Sequence, residues 1–249
     1  MKPQWCDKCL KDAPFVISHS MEDWRCLYCF GDAELPDNPL MDFVEGNING
    51  RRITKWIGYL DVYHRHLQGF RGMKPTVLEI GVCHGGGMDM WKSYFGEGAR
   101  IVGIDIEEPR VDCRDHEIHI GDQGNGEFLM EVAEKIGPID IVIDDGGHKM
   151  THMNMAFAHL FDAVNAPGAY IVEDLHTAFM PEYMDGMSFF NHIARMTEEI
   201  SGWHREETPT RRMKTTFGVH AYESIVVFEK RHVQRPIVFQ SGLEKGEDR

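Results

Sequence analysis

The chain has 249 residues and a formal net charge of −14, from 40 acidic and 26 basic side chains with histidine neutral. That length buries a large core and fits one main domain plus an appendage. The acidic balance argues against a nucleic-acid surface, whose phosphates would be repelled, and no apolar run approaches the roughly 18 residues of a membrane span. The opening Met-Lys-Pro-Gln-Trp-Cys lacks the apolar centre of a signal peptide, so a cytoplasmic, soluble protein is expected.

Two Cys-x-x-C pairs come first, Cys6 with Cys9 and Cys26 with Cys29, sixteen residues apart. That spacing suits one tetrahedral, structural Zn2+ held by four thiolates. Residues 1–35 therefore read as a small zinc ribbon, too short to build a core without the metal. Cys83 and Cys113 lie far away and read as ordinary small side chains. Residues 36–73 read as a linker and a capping helix. Leu35-Pro-Asp-Asn-Pro39 is rich in breakers, and Ile53, Trp56, Ile57, Leu60 and Tyr63 recur at helical spacing across Arg52–Leu67. Such a helix would cap a sheet or an oligomer interface.

From residue 74 to 249 the pattern is regular. Strands are expected over Thr76–Val82, Arg100–Asp105, Glu117–Ile120, Ile139–Ile143 and Ala169–Val172. Helices are expected from the glycines at 85–87 to Tyr94, over Gly126–Ile136 and over Thr151–Val164. Alternation of this kind predicts an α/β fold with a doubly wound, mainly parallel sheet. An insertion over 175–213 with a helix at Ser188–Ile200 follows, then strands in Phe217–Ser224 and Ile225–Lys230.

Two strands end in paired acids. Ile139–Ile143 runs into Asp144-Asp145-Gly-Gly-His148, and Ala169–Val172 into Glu173-Asp174. Ligands of open α/β sheets lie beyond the carboxyl ends of the strands. Asp145, Glu173 and Asp174 are there three oxygen donors for one hard cation, with His148 placed as a base. The first strand instead leads into Glu79-Ile-Gly81-Val-Cys-His-Gly85-Gly-Gly, where glycine backbone can approach a ligand closely. No G-x-G-x-x-G is present, which disfavours a dehydrogenase, and Glu79 suits a ligand carrying positive charge. Asp105 is placed to accept ribose hydroxyls, and Asp122-Gln123 to meet an adenine amino group.

The order E-x-G-x-x-x-G, an acid after the second strand and G-D after the third resembles class I S-adenosylmethionine-dependent methyltransferases, over about residues 74–230. Asp-Asp-Gly-Gly-His followed by Ile-Val-Glu-Asp is more specific. It resembles the Mg2+-dependent sugar O-methyltransferases of macrolide pathways, the macrocin and mycinamicin type. The resemblance implies a Rossmann-like methyltransferase fold and a sugar or glycoside acceptor. It implies Mg2+ on Asp145, Glu173 and Asp174, with His148 as general base. Glu79, Gly81, Gly85, Asp105, Asp122, Gln123 and Asp144 are assigned to the cofactor. The cysteine ribbon departs from that family. An RNA or protein substrate gripped by the ribbon, and a non-catalytic assembly protein, are the competing readings. His148 and His152 form a weaker zinc pair without a third ligand. His176 and Thr177 are acceptor contacts or plain loop residues. Tyr183, Phe189, Phe190 and Trp203 are a lid or core packing, and Arg211 and Arg212 a solvated pair.

Overall fold

The computed structural model describes residues 37–205 and 208–242, together with four short strands before them. These are β1 (Gln4–Cys6), β2 (Lys11–Ala13), β3 (Phe15–Ile17) and β4 (Trp24–Cys26). β1 pairs antiparallel with β2, and β3 with β4. The zinc assignment to Cys6, Cys9, Cys26 and Cys29 concerns side chains outside the described residues.

Helix α1 (Pro39–Gly46) stands inside the stretch expected to be a linker. Its start is well marked: the Asn38 side chain accepts from the Leu40 and Met41 N–H groups, and proline occupies the first turn. The next helix, α2 (Ile57–Leu67), begins five residues later than the expected Arg52. Residues 51–56 carry no regular secondary structure. Arg51, the Arg52 carbonyl and Lys55 are each engaged by different parts of the main domain, as described below.

β5 (Thr76–Ile80), β6 (Arg100–Asp105), β7 (Glu117–Ile120), β8 (Ile139–Asp144) and β9 (Val164–Val172) follow, with β10 (Thr216–Ala221) and β11 (Val226–Lys230) at the end. They form one sheet in the order β10-β11-β9-β8-β5-β6-β7. Neighbours from β7 to β9 are parallel, and β11 runs antiparallel to both β9 and β10. Strand order reverses between β5 and β8, which opens a crevice at their carboxyl ends. The central strands are apolar because both their faces are covered. α1, α2 and α3 (Gly86–Phe95) cover one face, where Leu40, Tyr63 and Trp91 pack on Val77 and Ile143. α4 (Gly126–Ile136), α5 (Met150–Leu160) and α6 (Phe190–Ile200) cover the other, where Leu129, Phe157 and Met196 pack on Val142 and Phe228.

α5 ends earlier than expected and β9 starts earlier. Phe161–Ala163 makes a tight turn, and Val164 already pairs with Ile139. The side chain of Asn165 adds a bond to Asp140 (2.9 Å), so Pro167 and Gly168 lie within a strand instead of ending one. The short helix α7 (Arg211–Thr215) completes the insertion. Arg212 is no solvated residue: its guanidinium meets Asp162 at 2.9 Å and lies 5.3 Å from the Phe161 ring centre. Among the described residues no helix is long and apolar enough to cross a membrane.

Candidate active site

The two acid-bearing turns are locked together through their backbones. Asp145 N–H donates to the Ile80 carbonyl (3.0 Å) and Glu173 N–H to the Asp144 carbonyl (3.0 Å), so both loops leave the sheet edge in register. Gly81, at φ +94°, makes the close approach: a Cβ there would lie 2.1 Å from the Asp145 carbonyl oxygen. His148 and Asp174 both adopt left-handed backbone, at φ 55° and 56°. The buried Thr177 hydroxyl lies 3.0 Å from the His148 carbonyl and 2.7 Å from that of Asp174, linking the two turns. Thr177 is thus a clamp inside the fold and not an acceptor contact.

Asp145, His148 and Asp174 come together as expected, each offering an atom within 4.8 Å of the others. His148 Nε2 is 3.6 Å from Asp174 Oδ2 and 3.9 Å from Asp145 Oδ1. His152 is not in this group and packs instead against Gly147 and Gly124. Glu173 is placed differently from Asp174. Its carboxylate is buried and both its oxygens meet Lys55 Nζ, at 2.9 and 3.0 Å. Lys55 also reaches Asp145 Oδ2 at 2.5 Å and lies 3.8 Å from Glu79. Burial by itself opposes a charge on Lys55, but Asp145, Glu173 and Glu79 outweigh it and hold the ammonium well above its ordinary value. Burial, with repulsion from Asp145, raises the Glu173 carboxyl well above the usual range, and burial raises Asp145 against the pull of Lys55. Carboxylates crowded in this way, with an imidazole beside them, suit a hard dication.

Lys55 and Tyr59 were not foreseen. Tyr59 donates to Asp174 Oδ1 (2.8 Å) from the buried face of α2. Its phenol is raised by burial and by Asp174, so it remains a donor. Trp56 stacks on His176 (centroids 4.9 Å apart), and His176 Nδ1 lies 2.6 Å from Ser224 Oγ. Of the expected lid, Tyr183 stands edge-on to His148 at 6.3 Å, whereas Phe189 is core, against Phe157 and Phe228.

The other half of the crevice is built from the loops after β5, β6 and β7. Asp105 Oδ2 accepts from Val82 N (2.9 Å) and Cys83 N (2.8 Å), and Oδ1 from Glu107 N (3.2 Å), which braces the glycine-rich turn. Gly85, left-handed at φ 75°, starts α3. Asp122 Oδ1 accepts from Gly124 N (2.7 Å). Gln123 and Asp144 are bonded to each other, Nε2 to Oδ1 at 2.6 Å, and Gln123 Oε1 accepts from Gly147 N at 2.9 Å. Both ends of that buried amide are committed within the protein, so Gln123 ties the β7 loop to the loop after β8 and does not offer a free edge to a purine. Burial pushes the Asp144 carboxyl up to about 7 despite the Gln123 bond. Burial also pushes Glu79 up to about 7, against Lys55 and a 3.0 Å bond from Trp91 Nε1.

Comparison with known proteins places this geometry. The structure matches that of MycE methyltransferase from the mycinamycin pathway in complex with Mg, SAH and mycinamycin VI, with a TM-score of 0.69 and 30% identity, over 80% of this chain and 54% of that one. The fold is a methyltransferase fold. In sequence the chain is 35% identical over 198 residues to 8-demethyl-8-alpha-L-rhamnosyl tetracenomycin-C 2'-O-methyltransferase of Streptomyces olivaceus, covering 70% of this chain and 50% of that protein. It is 39% identical over 148 residues to mycinamicin VI 2''-O-methyltransferase of Micromonospora griseorubida, covering 55% of this chain and 37% of that one. The chain spans about half the length, or less, of these relatives. No protein-family model matches it.

Proposed function

We propose that this protein transfers a methyl group from S-adenosylmethionine to a hydroxyl of a sugar carried by a small molecule, with Mg2+ at Asp145, Glu173 and Asp174. The convergence of Asp145, His148 and Asp174 within 4.8 Å, beside the glycine-rich turn, carries this reading. The resemblance to named sugar O-methyltransferases supports the acceptor class. Bound Mg2+ would supply Lewis acidity that makes an acceptor hydroxyl easier to deprotonate.

The chain's own residues do the rest. Asp145 and Asp174, fixed by the paired backbone turns, set where the acceptor oxygen lies. His148 takes the proton at Nε2, the nitrogen that faces both carboxylates. The backbone around Gly81 and Gly85, braced by Asp105, receives the cofactor; Glu79 lies beneath it and Asp122 at its adenine end. Gln123 and Asp144 act by holding these loops in place. Holding donor and acceptor in line accounts for a large part of the rate. At the N-terminus we assign a structural Zn2+ to Cys6, Cys9, Cys26 and Cys29. In support, Cys6 and Cys26 each close a strand of a separate antiparallel pair.

The direct test is a mass-spectrometric screen of sugars and glycosides, with S-adenosylmethionine and Mg2+, for the gain of one methyl group. Thermal-shift titration with S-adenosylhomocysteine accompanies it. A chain that neither binds S-adenosylhomocysteine nor methylates any glycoside would refute the proposal. Elemental analysis of protein purified without added metal tests the zinc.

A further inference from the structure

Lys55 reaches the acid cluster from a segment remote in sequence, 90 residues before Asp145 and 118 before Glu173. Its side chain is only 6% exposed, and its three partners are Glu79, Asp145 and Glu173. Asp145 divides its oxygens: Oδ2 faces Lys55 at 2.5 Å, and Oδ1 faces His148 at 3.9 Å, on the side shared with Asp174. Glu173 turns both oxygens to the ammonium. Two of the three carboxylates assigned to the divalent cation are therefore also ligands of a lysine.

The segment carrying Lys55 is anchored on both sides. Before it, Arg51 meets Asp89 on α3 at 2.8 Å and Asp115 at 2.5 Å. The Arg52 carbonyl presses on the glycine-rich turn, so closely that a Cβ on Gly86 would lie 2.4 Å away. After it, Trp56 stacks on His176 and Tyr59 bonds to Asp174. With both flanks tied down, the backbone of Lys55 is held beside the acid cluster.

We propose that Lys55 competes with the divalent cation for Asp145 and Glu173 and so sets how tightly the protein holds it. The inference rests on the Mg2+ reading of the previous section. An ammonium and a dication sharing a carboxylate pair repel each other, most strongly where water is excluded. The segment 51–56 thereby links the packing of the glycine-rich turn to the metal side of the crevice.

The test is calorimetric titration of the full-length protein with MgCl2 alone, repeated with Mn2+ followed by electron paramagnetic resonance. Lys55→Gln should bind either ion about tenfold more tightly or better, since one neighbouring unit charge is worth that much even under strong screening. Lys55→Arg, which keeps the charge, should stay near the wild-type affinity. Because Lys55→Gln leaves buried carboxylates without their cation, its stability should fall. The rise in melting temperature on adding MgCl2 should then be larger than in wild type. Equal or weaker binding by Lys55→Gln, with the wild type binding normally, would overturn the competition and make Lys55 an orienting residue for the ligands. Absence of binding by wild type and variant alike would overturn the Mg2+ reading itself, and this inference with it.

Discussion

Asp105 and Asp174 both follow strands of one sheet, at the same edge, yet their oxygens are met in different ways. Asp105 is held by the N–H groups of Val82, Cys83 and Glu107, and Asp122 by that of Gly124. These donors belong to the loops themselves and carry no net charge. Asp145, Glu173 and Asp174 are met by the side chains of Lys55, Tyr59 and His148. Lys55 and Tyr59 come from far away in the chain, and Lys55 brings a charge. The half proposed to take the cofactor is thus preorganised by backbone N–H groups, whereas the half proposed to take the metal is governed by a balance of charge.

Substitutions on the two sides should separate cleanly, and the largest effect belongs to the metal side. Asp174→Ala should lose Mg2+ binding and turnover together while still binding S-adenosylhomocysteine, as read by calorimetry and a methylation assay. Retained Mg2+ affinity would break the distinction. His148→Ala should keep both ligands and slow turnover by roughly 10²–10⁴-fold, the usual worth of a positioned base. If it instead abolishes Mg2+ binding, the imidazole belongs with the ligands.

Glu79 is the acid on the cofactor side that departs from the rule, for its Oε2 is buried without a hydrogen-bond partner among the described residues. Its carboxyl is pushed from 4.5 up to about 7, so the folded protein favours the protonated form. Stability is then greatest below the unfolded value and declines as pH rises through about 7, by about 3 kcal/mol at most. Glu79→Gln should remove that decline, and denaturant melts at pH 5 and pH 8 would show equal loss in both proteins if the assignment is wrong. The smallest effect is expected for Asp105→Ala, about 1.5–3 kcal/mol of cofactor affinity, from bonds to a charged group. Calorimetry should find Mg2+ affinity unchanged in that variant.

The apolar runs of β5, β6 and β8 were legible because central parallel strands are buried on both faces, and Asp145, Glu173 and Asp174 because acids at such strand ends have no packing role. α1 was missed, because Asn38 and Pro39, which start it, read as a break in the chain. Lys55 was not legible either. Nothing beside it in sequence marks it, and its partners are 90 and 118 residues away. Gln123 shows the converse: its position in the loop was read correctly, but its commitment to Asp144 and Gly147 depends on a contact between loops that local pattern does not carry.

The left-handed backbone at His148 and Asp174 bears on how such a protein would fare under laboratory evolution. A side chain in that conformation costs on the order of 1 kcal/mol that glycine would not incur. A screen that rewards heat tolerance alone would favour His148→Gly and Asp174→Gly, because each relaxes a left-handed turn. The hardiest survivors would be inert, so a thermostability campaign needs a turnover assay in every round.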